Sequence, residues 1–202
     1  MTRIIETLLE DHRNIEELLL VLERELGVID RDERPDYEII QAIISYFQDY
    51  PDCCHHPKED MVFEKLKARD PVAVESIGDL EAEHQNERQR LRRVADTIRN
   101  ILTGHDVQRQ TFDDVMRDFI KHERKHMEIE ERFLFSTAIN VLRPEDWAGI
   151  DARWGDWKDS IFNVAFEEKG QSLRERILQW QRENRDNSKA TGADSNNKPI
   201  RA

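Results

Sequence analysis

The sequence predicts an all-α protein: an up-down-up-down antiparallel four-helix bundle with an additional C-terminal helix. Three observations predict it. Glycine and proline are scarce, at 7 and 6 of 202 residues, while charged residues make up 37% of the chain, and long stretches are rich in Glu, Arg, Leu and Ile, which favour helices. Apolar residues recur at helical spacing in four long stretches, each closed by a recognisable stop. Strand-like alternation is nowhere persuasive, and the three connections between the stretches are short, as antiparallel neighbours require.

The first helix is expected from about Thr2 to Val28, with Ile4, Leu8, Ile15, Leu19 and Leu22 on one face, ending in the polar segment Gly27 to Pro35. The second is expected from about Asp36 to Ala68, with Ile40, Ile44, Phe47, Val62 and Leu66 inward and a stop at Asp70-Pro71. Pro51 and Pro57 lie inside it; each removes a backbone donor and crowds the preceding turn, so a kink or local break near Asp52 is predicted. The third carries Ile77, Leu80, Leu91, Val94 and Ile98 and ends at Thr103-Gly104, where glycine suits a left-handed cap. The fourth carries Phe112, Val115, Phe119, Phe133 and Thr137 and ends before Arg143-Pro144.

A Trp-rich segment, Pro144 to Trp157, follows, and then a fifth helix from about Asn163 to Arg185. The polar end of the chain has almost no large apolar residue and is expected to be disordered. The expected organisation is a bundle over 1–142, a helical extension packed on it over 143–185, and a disordered tail over 186–202.

The net charge of -12 would repel a nucleic-acid backbone or an anionic membrane, so neither is expected as a partner. Met1 to Glu10 has no apolar run of signal-peptide length, and no segment approaches the roughly 20 apolar residues of a membrane span. The expectation is a soluble cytoplasmic protein. Cys53 and Cys54 provide no disulfide framework. A vicinal disulfide would be strained, and packing is the plainer role for both, with redox sensing as the alternative.

Seven histidines are present, and His12, His55, His84 and His126 continue the inward stripes, one on each predicted helix. Groups on adjacent antiparallel helices meet only if the turn lies midway between them. The midpoints of successive pairs, about 33.5, 69.5 and 105, all fall in the predicted loops. Four inward imidazoles at one height would form a ring. His55 and Glu59, and likewise His126 and Glu130, are spaced i,i+4, so imidazole and carboxylate share a helix face and converge. On opposite helices of a bundle, two such carboxylates could bridge two metal ions, and mixed imidazole and carboxylate donors suit iron, manganese or zinc.

For any one histidine, a hydrogen-bonded core residue is the plainer reading. The joint pattern reverses this, because burying four imidazoles and two carboxylates without partners would cost several kcal/mol each, to order of magnitude. His105 is expected to be an exposed loop residue, and Glu81 and Glu87 solvated or supporting groups beside His84. Phe63, Phe119 and Phe133 are read as core, able also to keep water from an oxygen ligand. Trp147, Trp154 and Trp157 are read as a cap on one end or flank, or as a partner surface.

Asp11-His12-Arg13, His55-His56-Pro57-Lys58-Glu59-Asp60, Glu83-His84 and His126-Met127-Glu128-Ile129-Glu130-Glu131 together resemble the hemerythrin HHE cation-binding family over roughly residues 1 to 142. The resemblance implies metal ligands at His12, His55, Glu59, His84, His126 and Glu130, with the two glutamates bridging. Hemerythrins carry paired histidines one turn apart on the third helix, and here Leu80 and Glu87 flank His84 instead. His56 is the replacement candidate, with His122 as its competitor.

The implied cofactor is a pair of non-haem iron ions (Fe2+/Fe3+), with or without an oxo or hydroxo bridge; zinc or manganese would also be accepted. The implied partner is O2 or another small diatomic ligand such as NO, bound for sensing, storage or delivery, and a protein partner or homo-oligomer is compatible with the pattern. The alternatives are a di-iron redox enzyme acting on NO or peroxide, and a protein that handles or senses iron. No nucleotide loop or Ser-His-Asp arrangement supports a defined enzyme.

Overall fold

A computed structural model describes residues 2–75, 77–158 and 161–194, with backbone alone for 81, 158, 161–163 and 184–194. Among the described residues every regular element is helical. Helix α1 spans Arg3–Asp30 and buries Ile4, Leu8, Ile15, Leu19 and Leu22. The chain then turns through Asp32, at φ 66°. Helix α2, Tyr37–Tyr50, begins at Asp36, whose carboxylate accepts hydrogen bonds from the backbone N–H groups of Glu38 and Ile39 at 3.1 Å.

The predicted disturbance near Asp52 takes the form of a π-helical turn, Pro51–His55, after which the helix resumes as α3, His56–Arg69. Pro51 has no N–H to give, so the wider turn forms where an α-helical bond is already missing. Helix α4, Leu80–Leu102, is capped by the Asp79 side chain. It closes with Gly104 at φ 80°, Gly104 N–H on Ile101 C=O and His105 N–H on Asn100 C=O, a paired C-terminal cap that glycine makes sterically cheap.

The fourth predicted helix is also interrupted. Helix α5, Arg109–Ile129, passes through a second π turn, Glu130–Phe135, into α6, Ser136–Val141. The extra residue in that turn advances the buried stripe by one position. Leu134 and Ala138 are buried where the regular spacing pointed to Phe133 and Thr137.

Helix α7, Pro144–Lys158, lies against α1 and α3. There Trp154 is buried, stacked on Trp157 at 4.6 Å. Helix α8, Ile161–Asp194, lies mainly along α2. It extends past Arg185 into the stretch expected to be disordered, because no proline lies between Pro144 and Pro199 and a helix already nucleated extends at little cost per residue. Of the expected tail, 195–202 lies outside the described residues. Among the described residues no helix is long and apolar enough to cross a membrane.

Two apolar clusters form the core. One joins Ile15 to Ile29 of α1 with Ile39 to Phe47, Leu91 to Ile98, Phe112 to Met127 and Ile177. The other joins Ile4 to Leu8 with Met61 to Leu66, Leu80, Leu134 to Ala138, Ile150 and Trp154. Each fully buried Leu or Ile contributes about 1.5–3 kcal/mol, which offsets the cost of what lies between the clusters. On α1, on α2 to α3, on α4 and on α5 to α6 that interval holds histidines and carboxylates: Asp11-His12, His55 to Glu59, His84 to Glu87, and His126 to Glu130.

Helices α1 and α5 run antiparallel. Arg117 pairs with Asp30, Arg124 with Glu23 and Glu16, and Glu131, just beyond α5, with His12, so rising numbers on one meet falling numbers on the other. The exposed pairs are worth about 0–1 kcal/mol each. They set register more than stability.

Candidate metal centre

The polar layer contains two groups of side chains whose donor atoms lie within 4.8 Å of one another: His12, His55, Glu59 and Glu130, and His56, Glu59, His84 and His126. Glu59 faces both groups. Its Oε1 is 3.3 Å from His55 Nε2 and 3.6 Å from His12 Nε2, and its Oε2 is 3.5 Å from His84 Nε2. Glu130 does the same from the opposite side, with Oε2 3.4 Å from His12 Nε2 and Oε1 2.9 Å from His126 Nε2 and 3.7 Å from His84 Nε2.

Both π turns serve this layout. His55 ends the first and Glu130 begins the second. Adjacent residues of a regular helix point about 100° apart. The turn into α3 nevertheless lets His55 approach one group while His56, its ring 5.7 Å away, stacks on His84 at 3.8 Å in the other.

The inward nitrogens are all Nε2, and three of the rings are held from outside through Nδ1. His12 Nδ1 donates to Glu131 at 2.9 Å, His55 Nδ1 to Asp11 at 3.3 Å, and His56 Nδ1 to Asp52 at 3.1 Å. Outer carboxylates of this kind fix ring orientation and raise donor basicity. Asp11 is itself buried. It also accepts from Lys58 Nζ at 2.7 Å and from the Tyr50 hydroxyl at 3.0 Å. Lys58 is 1% exposed and sits 4.9 Å above the Trp154 ring.

Burial alone would neutralise these groups, but their mutual proximity prevails. Against the cost of burial, Glu130, Glu131 and Glu59 push the His12 pKa up to about 11, and Glu130, Glu87 and Glu59 push His126 to about 10. His84 and His56 are raised in the same way. Burial opposes ionisation of Glu59, yet His55, His12 and His84 hold it well below the ordinary carboxylate range, and Glu130 is lowered likewise. Glu123 behaves oppositely: burial, reinforced by the charge of Glu87, raises it well above the ordinary value.

Despite these attractions the inner atoms do not pair off. His12, His84 and His126 Nε2 and both oxygens of Glu59 and Glu130 are buried and without a hydrogen-bond partner. Leaving a buried polar group unpaired costs about 1–3 kcal/mol, more when it is charged. Donors crowded around common points at 2.9–3.7 Å without hydrogen-bond alignment are what a metal cation gathers. The donor set fits metal ions.

The predicted positions His12, His55, His56, Glu59, His84, His126 and Glu130 therefore all fall in this layer. His122 does not. Its side chain is 41% exposed, and its Nδ1 donates to the Asp118 carbonyl at 2.8 Å within its own helix. His105 is exposed and bonded to Thr103 Oγ1. Glu87, read from sequence as a solvated or supporting group, turns inward with its side chain 11% exposed. The side chain of Glu81 lies outside the described residues.

Asp11, Asp52, Lys58, Glu123 and Glu131 were not assigned roles from sequence. Asp52 four residues before His56 was a usable signal. Nothing local distinguishes Glu123 from its solvated neighbours on α5.

No curated protein and no solved structure matches the chain significantly. The family described as hemerythrin HHE cation binding domain matches residues 3–138. That span contains both donor groups, and the chain belongs to the hemerythrin HHE cation-binding domain family.

Proposed function

We propose that the chain binds two non-haem iron ions and uses them to take up O2 or another small diatomic ligand such as NO for sensing, storage or delivery. One observation carries the reading: Glu59 and Glu130, wholly buried, each turn one oxygen to each histidine group, and none of the four oxygens has a hydrogen-bond partner. Two cations side by side would satisfy all four, and the two carboxylates would offset part of their charge. One ion would be held by His12, His55, Glu59 and Glu130, the other by His56, His84, His126 and the same two carboxylates. Iron is preferred over calcium or a thiolate metal because the donors are imidazoles and carboxylates.

The scaffold is inferred to be an up-down-up-down antiparallel bundle. The order in which each helical stretch visits the two apolar clusters alternates along the chain, which supports that topology. When bound, the iron pair supplies the electrons for ligand uptake. The chain's own residues orient and protect. Asp11, Asp52 and Glu131 hold three imidazoles, and Phe135, stacked on His12 at 5.4 Å, keeps water from that side.

Glu123 favours a second reading, a redox enzyme acting on NO or peroxide. Such reductions consume protons, and Glu123 is a buried carboxyl whose pKa is raised well above the ordinary value, one helical turn before His126. The test for both is metal content per chain on anaerobically purified protein, then the visible spectrum on admitting and removing air. Two irons and a reversible band support the binding reading; two irons oxidised irreversibly, with turnover of peroxide or NO, support the second. Absence of bound metal after reconstitution with iron would refute both.

A further inference from the structure

We propose that Glu87 is itself a metal ligand, a third carboxylate that completes the coordination of the ion held by His56, His84 and His126 and confines open positions to the ion at His12 and His55. This rests on the two-ion reading above. Glu87 lies on α4 three residues after His84, on the same face. Its Oε2 is 3.3 Å from His56 Nε2 and 3.6 Å from His126 Nε2.

Those are the metal-facing nitrogens. Asp11, Asp52 and Glu131, the carboxylates that support rings from outside, meet Nδ1 instead. Glu87 therefore stands on the inner side of the imidazoles. Its Oε2 is buried without a hydrogen-bond partner, as are the oxygens of Glu59 and Glu130. Among the described residues no lysine or arginine forms an ion pair with it; its contacts are His56 and His126. A supporting residue would have a second partner, and a solvated one would be exposed.

With Glu87 the two ions become unequal. The ion at His56, His84 and His126 has three imidazoles and three carboxylate oxygens, from Glu59, Glu130 and Glu87, which fills six positions. The ion at His12 and His55 has two imidazoles and two carboxylate oxygens, leaving room for exogenous ligand. A third anionic oxygen donor also favours a hard, higher-valent ion such as ferric iron on the closed side.

The test uses the metal-free full chain titrated anaerobically with cobalt(II), whose visible bands are weak in six-coordination and stronger in five. Wild type is expected to bind two cobalt ions. Glu87→Gln keeps the size and polarity of the side chain but removes the anionic donor. It should weaken one of the two ions by at least about 10–100-fold, the range seen even for outer supporting residues, and strengthen the absorption per cobalt. Glu87→Asp should restore part of the affinity.

A wild type that binds two cobalt ions and a folded Glu87→Gln with the same affinities and spectrum would leave the centre standing and overturn the assignment of Glu87. A wild type that binds none would overturn both. The unmodified protein supplies a check independent of folding: azide added to the dicobalt chain should perturb the bands of one ion, and perturbation of both would refute a closed second ion.

Discussion

Removing the Asp11 carboxylate should separate fold stability from metal affinity, because this group serves both. It lies 4% exposed and accepts from Lys58 Nζ at 2.7 Å, Tyr50 at 3.0 Å and His55 Nδ1 at 3.3 Å. Asp11→Ala leaves a buried ammonium without its anion, which typically costs about 3–5 kcal/mol. Glu167 at 3.9 Å and the Trp154 ring offset part of this, so a loss near about 3 kcal/mol is expected. At about 2–4 °C per kcal/mol for a chain of this size, the metal-free Tm should fall by about 6–12 °C.

Lys58→Met removes the stranded charge. The double variant Asp11→Ala/Lys58→Met should recover most of that Tm, since a well-packed apolar replacement of a buried ion pair is often neutral. Its metal affinity should not recover, because His55 has still lost the acceptor that orients it; a fall of about 10–100-fold is expected. The assays are thermal melts of the metal-free chains and competition titrations with a metal chelator. A metal-free Asp11→Ala that melts with wild type would refute the dependence of Lys58 on Asp11. A double variant with wild-type metal affinity would refute the orienting role.

Glu59→Ala or Glu130→Ala should lose one or both metals, measured as metal per chain after desalting, whereas His105→Ala should retain both; retention after both glutamate changes would end the bridging assignment. In the metal-free chain the raised pKa values of His12 and His126, about 11 and about 10, stabilise the fold fully below the unfolded value of about 6.5, and that contribution is lost as pH rises through about 10–11. The metal-free Tm should thus drop over that window. The loaded chain, with neutral imidazoles as ligands, should lack this drop, and loading near pH 7 should release protons in an unbuffered titration. Gly170→Ala should cost about 1–3 kcal/mol by denaturant titration: its Cβ would press into the Tyr50 ring, which cannot easily yield while stacked on Tyr46 at 4.9 Å and bonded to Asp11.

The local rules that make helices act within a few residues, and they were readable. Apolar stripes named from spacing on α1 to α4 are buried, the Gly104 cap has the expected left-handed backbone, and the proline pair disturbs its helix where expected. The second π turn was not readable. Glu130–Phe135 contains no proline or glycine to announce it, and the cost of a widened turn is met by contacts with residues far away in sequence. That one turn moved the buried stripe from Phe133 and Thr137 to Leu134 and Ala138.

By itself the sequence determined the helical class, the equal height of four histidines and the pairing of His55 with Glu59 and of His126 with Glu130 one turn on, because periodicity and loop midpoints depend only on residue number. The tertiary structure decided which side chains without such a pattern join them. Glu87 turns inward and His122 outward, Asp11 reaches Lys58 and Tyr50, and Trp154 covers Lys58. These outcomes depend on which helix stands opposite and what it leaves unpaired, and a carboxylate or an imidazole has no local preference that settles the matter beforehand.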